Sequence, residues 1–257
     1  MTEIKKLRPA RPVDEGGTMS LMEHLRELRS RLVKAALAVT VAAVAVYFFM
    51  YDSAYNLATA PYCEAVKGSH QKSCDLLFLS LTDAWMTKMR ISGQLGLMFA
   101  LPIVFWQLWR FIAPGLYRKE RRYGIGFVSI SVALFSLGAV FAYYSLPPIF
   151  RWFIDEAGSA TLQNKAEDYF SLFTLMILAF GVCFELPLVL VALQWMGVLQ
   201  PTTLARRRRE TYVGIIVFVA ILTPGGDPIS LVLLSGALIV FFEISLLIGR
   251  MIVRRKA

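Results

Sequence analysis

Six stretches of this chain, residues 32–50, 88–109, 123–146, 169–196, 211–223 and 229–249, are almost wholly apolar. A helix needs about 20 such residues to cross a hydrocarbon core of about 30 Å, and five of the six approach or exceed that length. With 57% hydrophobic residues and a mean hydropathy of +0.58, too little polar surface remains for a water-soluble shell. In lipid the backbone must satisfy its own hydrogen bonds, which a helix does internally. The fold class this dictates is an all-α integral membrane protein with six transmembrane helices. The fifth stretch is the exception in length. Its 13 residues cover about 20 Å at 1.5 Å each, so either the bilayer thins there or the helix ends below the surface. Thr223-Pro-Gly-Gly-Asp227-Pro then turns it straight into the sixth.

Charge sets the orientation. Lys and Arg number 8 in residues 1–34, 5 in 110–122, 4 in 206–209 and 4 in 250–257. The alternate segments hold only Lys67 and Lys72, then Arg151 and Lys165, and none across 223–228, while Lys88 and Arg90 snorkel at the mouth of the second span. By the positive-inside rule both termini are cytoplasmic. The net charge of +9 thus reads as membrane topology, and no nucleic-acid motif accompanies it. Residues 1–19 are polar, lack an apolar core and a small-residue cleavage site, and are not expected to be a cleaved signal. The chain divides into this cytoplasmic segment, a six-helix domain over 20–249 and a basic cytoplasmic tail over 250–257.

The first external loop carries Cys63 and Cys74, eleven residues apart, where an oxidising compartment permits a disulfide. Two unrelated thiols are the other reading. Cys183, inside the fourth span, suits packing.

Three segments could carry chemistry. Ser20-Leu-Met-Glu23 is a capping-box pattern, and Leu21, Leu25, Leu28 and Leu32 recur at helical spacing opposite Glu23, Arg26, Glu27, Arg29 and Arg31. This is an amphipathic helix at the membrane surface leading into the first span. Glu27 is placed for an ordinary i,i+4 pair with Arg31, or for receiving a cationic ligand together with Glu120. Glu120 is the lone acid in Arg118-Lys-Glu-Arg-Arg122, after the Pro114-Gly115 break. Glu185 lies about sixteen residues into the fourth span, just before Pro187. A charge at mid-span costs about 2.5–3.5 kcal/mol, and intramembrane carboxylates usually serve a function; a helix-packing hydrogen bond is the plainer account. Asp227, beside Gly and before Pro, also has an ordinary explanation as turn chemistry.

Enzyme motifs are absent: there is no HExxH and no GxSxG, and His24 and His70 fall on opposite sides of the membrane. No enzymatic activity, metal or cofactor is expected. The residues alone leave three function classes open: a receptor, an ion-coupled solute transporter with Glu185 as its coupling carboxylate, and a purely structural membrane scaffold. The second is weakened because the two halves of the chain show no repeat.

Four motifs in order, HLRELRSRL, FIAPGLYRKERR, FGVCFELPLV and LTPGGDP, together resemble the TatC family, the multispanning receptor of the twin-arginine protein translocase. The resemblance runs from about residue 20 to 249. It implies six helices in a concave arrangement, with spans five and six short, in a bacterial-type cytoplasmic membrane. It also implies single-span partners of the TatA and TatB type, self-association, and transport of folded cargo on the proton-motive force. Glu27 and Glu120 match the acids that recognise the twin-arginine pair of a signal peptide. Guanidinium forks pair bidentately with carboxylates in a geometry lysine cannot copy. Arg29, Arg31, Phe111 and Leu116 match further positions of the signal-binding face. Pro61, Tyr143, Glu185, Thr223 and Asp227 match positions inside the membrane or near its outer surface. The last turn departs from the family. Ile229-Ser230-Leu231 stands where phenylalanine, serine and glutamine are frequent, and Gly225-Gly226 replaces a second proline.

Overall fold

The computed structural model describes residues 21–67, 74–112, 124–157, 165–223 and 226–256. These residues are helical apart from short connections and one isolated bridge between Leu77 and Lys165. In chain order the helices are α1 (Leu21–Phe49), α2 (Tyr51–Val66), α3 (Leu81–Ile112), α4 (Gly124–Glu156) and α5 (Ala166–Phe184). They continue as α6 (Leu186–Trp195), α7 (Pro201–Arg206), α8 (Arg208–Leu222) and α9 (Pro228–Lys256). Among the described residues, five helical stretches are long and apolar enough to cross a membrane: 22–49, 81–111, 124–156, 166–195 (α5 with α6) and 228–252. The sixth expected span, α8, has 15 residues, about 22 Å of helix, and falls short of that length.

Helices α1 and α3 pack antiparallel. His24 of α1 stacks on Phe111 of α3, while further along Gly96 of α3 meets Ala43 of α1. Beyond that point Lys88 sits over the rings of Tyr47 and Tyr51 at 4.3 and 4.7 Å. An added Cβ on Gly96 would lie 2.4 Å from the Ala43 nitrogen, so the absence of a side chain there is what lets the two backbones meet. The α4–α5 crossing uses the same device twice. A Cβ on Gly138 would fall 2.7 Å from the Phe180 carbonyl, and one on Gly181 would fall 2.7 Å from the Phe135 ring. The largest buried cluster gathers Tyr62, Phe150, Tyr169, Phe170 and Phe173 where α2, α4 and α5 converge.

The structure revises several sequence expectations. The amphipathic start and the first span form one unbroken helix, α1. The segment expected to be the first external loop contains α2, whose buried Ala54, Ala58, Pro61, Tyr62, Ala65 and Val66 make a helical stripe of mostly small residues. That stripe is too weakly apolar to stand out from a hydropathy pattern. The fourth span is two helices, because Pro187 lacks the N–H that the Cys183 carbonyl would accept in a continuous helix. The chain tightens instead, with the Glu185 N–H donating to the Val182 carbonyl at 3.1 Å. Finally, most of the expected basic tail continues α9 as helix to Lys256.

Candidate functional site

The α1–α3 pairing builds a site at the start of α1. His24 and Phe111 stack with ring centroids 4.5 Å apart, which fixes the first turns of α1 against the last turn of α3. Glu27 and Arg31 follow His24 at +3 and +7, on the same helix face. They line an open cavity of about 580 Å³ with Glu23, Arg26, Lys34 and Arg110. Arg31 donates to Oε1 of Glu27 through both Nε, at 3.1 Å, and Nη2. The second carboxylate oxygen, Oε2, is buried and has no hydrogen-bond donor. A surface ion pair would leave that oxygen to water. Here it is an acceptor waiting for a donor, which costs free energy until one arrives. Arg29 points away and is exposed. Glu120 and Leu116 lie outside the described residues.

Pro61 and Tyr143 meet for a definable reason. Proline at position 61 has no N–H, so the Leu57 carbonyl one turn earlier lacks its helical donor. The Tyr143 hydroxyl of α4 donates to that carbonyl at 3.1 Å, and the Tyr169 hydroxyl of α5 donates to the next one, Ala58, at 2.5 Å. Two tyrosines thus clamp α2 at its proline. The same helix carries Cys63, which the structure joins to Cys74 across a Cα–Cα distance of 5.0 Å. Burial, with Asp75 adding to it, raises the hydroxyl pKa of Tyr55 and of Tyr62 on α2 above the usual tyrosine range, so both stay neutral donors.

Asp227 and Thr223 frame the last turn and are both buried. Asp227 stands immediately before Pro228 and accepts the Ser230 N–H on Oδ1 at 2.6 Å, an N-cap of α9 with proline in the first helical position. Its Oδ2 is buried without a donor. Thr223 donates back to the Val219 carbonyl at 2.9 Å. Ser230 reaches Met176 of α5. Glu185 lies nine residues beyond Met176, roughly 14 Å along the helix axis, so it does not share the Asp227 site. Its neighbours are Ser131 and the main chain at Phe135 of α4. Both the Ser131 hydroxyl and Glu185 Oε1 are buried without a partner of good geometry.

Sequence reading missed three polar positions that the fold uses. Glu243, within the sixth apolar stretch, accepts from Arg208 Nη2 at 2.8 Å and from the Tyr212 hydroxyl at 2.5 Å, tying α8 to α9. The same rule that flagged Glu185, a carboxylate inside an apolar run, would have found it. Gln94 accepts from Thr174 at 3.2 Å between α3 and α5, and Gln194 is buried against α9. Uncharged amides carry no comparable sequence signal.

Comparison with known proteins now decides the family. A family model described as Sec-independent protein translocase protein (TatC) matches residues 23–236. The chain belongs to the TatC family. Among its relatives, the Sec-independent protein translocase protein TatC of Frankia casuarinae is 34% identical over 95% of this chain and 69% of its own length. That of Aquifex aeolicus is 35% identical over 93% of this chain and 98% of its own length. A crystal structure described as the twin arginine translocase receptor TatC superposes with a TM-score of 0.73 at 33% identity, covering 90% of this chain and all of that one. A second, in the detergent DDM, gives 0.74 at 33% identity, over 88% of this chain and 99% of that one. This TatC-family chain is therefore a multi-pass membrane component of the twin-arginine protein translocase and not an enzyme. Membership displaces the solute-transporter reading that Glu185 alone would also suit.

Proposed function

We propose that this TatC chain receives the twin-arginine pair of a signal peptide at the start of α1, with Glu27 and Glu120 as the recognising carboxylates. The observation that carries this is Glu27 itself, which lines an open cavity, has one oxygen held by Arg31 and has no donor on the other. Arg31 holds the other oxygen and so orients the carboxylate. One incoming guanidinium donates to Oε2 and the second goes to Glu120. Bulk potential does not do this work. The cavity lining has four cationic side chains against two carboxylates, so attraction comes from aimed, charge-assisted bonds that lysine cannot reproduce.

The remaining roles follow the same reading. Both termini and the basic segments face the cytoplasm, and α8 is a sixth, short span in a cupped six-helix domain over 20–249 that favours local thinning of the bilayer. Residues 1–19 and 250–257 flank that domain on the cytoplasmic side. The apolar part of the signal enters the concave face, where Glu185 is a polar anchor. Single-span partners of the TatA and TatB type assemble against α8 and α9 near Thr223 and Asp227, and the proton-motive force drives transport of folded cargo. Leu231, in place of a frequent glutamine, removes one polar contact from that partner face. Reversing both charges, Glu27→Lys with Glu120→Lys, should abolish site-specific crosslinking to a twin-arginine signal peptide. Unchanged crosslinking would refute the assignment.

A further inference from the structure

Helices α2, α3, α4 and α5 leave an open groove of about 330 Å³ between them. Ala54 and Ala58 of α2 and Ala139 of α4 line it with small side chains, and Phe173 of α5 adds a ring. No charged side chain lines the groove, and Gln94 of α3 is its one amide. Gln94 is 8% exposed, and its Oε1 accepts from the Thr174 hydroxyl at 3.2 Å. Its Nε2 has no acceptor among the described residues and, unlike the orphan Oε1 of Gln194, is not sealed from open surface. Tyr143, on the same wall, has already spent its hydroxyl on the Leu57 carbonyl. In lipid a free amide N–H beside an apolar groove calls for an acceptor that arrives with an apolar body.

The depth of Gln94 follows from Arg90, one turn earlier on the same helix face. Arg90 donates through Nη1 to the Glu167 carbonyl at 3.1 Å, in the first turn of α5, and has no carboxylate partner among the described residues. Four residues rise about 6 Å, and the polar layer of one leaflet is about 5–7 Å deep. With Arg90 among the phosphates, Gln94 stands where ester carbonyls meet the hydrocarbon.

We infer that this groove seats one acyl chain of a diacyl phospholipid, whose ester carbonyl accepts from Gln94 Nε2 and whose phosphate lies beside Arg90. The carbonyl is an acceptor without a proton of its own, which is what the free amide needs. A helix body does not fit, because one turn about 5.4 Å long and about 10 Å across fills about 420 Å³, more than the whole groove. A single hydrocarbon chain is slender enough. The inference rests on the α2 end of the bundle lying at a membrane surface, and not on signal recognition.

The test uses the full chain purified in mild detergent, with native mass spectrometry of retained phosphatidylcholine in its diacyl ester form or as its dialkyl ether analogue, which lacks the carbonyls. The ester lipid should be retained at least about fivefold better than the ether, and Gln94→Leu should erase that preference. Val140→Trp, which fills the groove from a position 51% exposed, should reduce retention of both lipids about fivefold. Equal retention of ester and ether by the wild type, or retention unchanged in Val140→Trp, overturns the inference. A photoreactive side chain placed at Val140 in native membranes should acquire the mass of a phospholipid. A peptide or protein adduct in its place overturns the lipid assignment in favour of a polypeptide occupant. Signal-peptide binding by the same preparations keeps the two readings apart, since Gln94→Leu should leave it intact and its loss in Glu27→Lys should leave lipid retention unchanged.

Discussion

Replacing Tyr143 with phenylalanine asks whether its hydroxyl is present because of Pro61. In the structure that hydroxyl donates at 3.1 Å to the Leu57 carbonyl, the group whose helical donor proline removes. A typical intramolecular hydrogen bond contributes about 0.5–1.5 kcal/mol net. Measured side-chain bonds between membrane helices average nearer 0.6 kcal/mol. Tyr143→Phe should therefore cost about 1 kcal/mol, about fivefold in the unfolding constant. The informative step is to repeat it with Pro61→Ala, where residue 61 regains an N–H that can serve Leu57. In that background the cost should fall to about 0.3 kcal/mol or less, as the helix supplies the lost donor. Reversible unfolding in mixed micelles, run as a double-mutant cycle, measures the coupling. An equal cost of Tyr143→Phe in both backgrounds would refute the pairing of hydroxyl and proline.

Other outcomes follow from single contacts. Gly249→Ala places a Cβ 1.6 Å from Gln194 Oε1 and should destabilise the α6–α9 packing by about 1–3 kcal/mol in the same assay. Gly236→Ala, which meets open space on the same helix, should be neutral or slightly stabilising. Glu243→Ala strands both Arg208 and Tyr212 and should cost more than Tyr212→Phe, which leaves the ion pair in place; thermal midpoints of the purified variants give the order. Native membranes treated with a maleimide label should show Cys63 and Cys74 unreactive until reduced, and losing the bridge should cost about 2–3 kcal/mol of stability.

Long apolar stretches made the spans legible because bilayer thickness imposes their length, and the carboxylates stood out because a charge in lipid needs a reason. The pairing of Glu27 with Arg31 was legible because i,i+4 spacing is local. Helix α2 was hidden because it buries Ala54, Ala58 and Ala65 instead of large apolar side chains. The clamp on Pro61 was hidden for another reason. It joins Leu57 to Tyr143 and Ala58 to Tyr169, 86 and 111 residues apart in sequence, and no short-range pattern records such a meeting. Family resemblance pointed to Pro61 and Tyr143 separately, and the backbone chemistry of proline explains why they belong together. Glu243 was overlooked even though it obeys the rule applied to Glu185.

The most direct test of the receptor reading compares twin-arginine with twin-lysine signal peptides binding to the purified chain in lipid nanodiscs. Affinity is measured for the wild type and for the Glu27→Gln, Glu120→Gln double variant. If aimed carboxylates read guanidinium geometry, the wild type binds the arginine peptide at least about tenfold more tightly, a difference of about 1.4 kcal/mol, and the double variant loses that preference. Equal binding of both peptides by the wild type, or a preference that survives loss of both carboxylates, would contradict it.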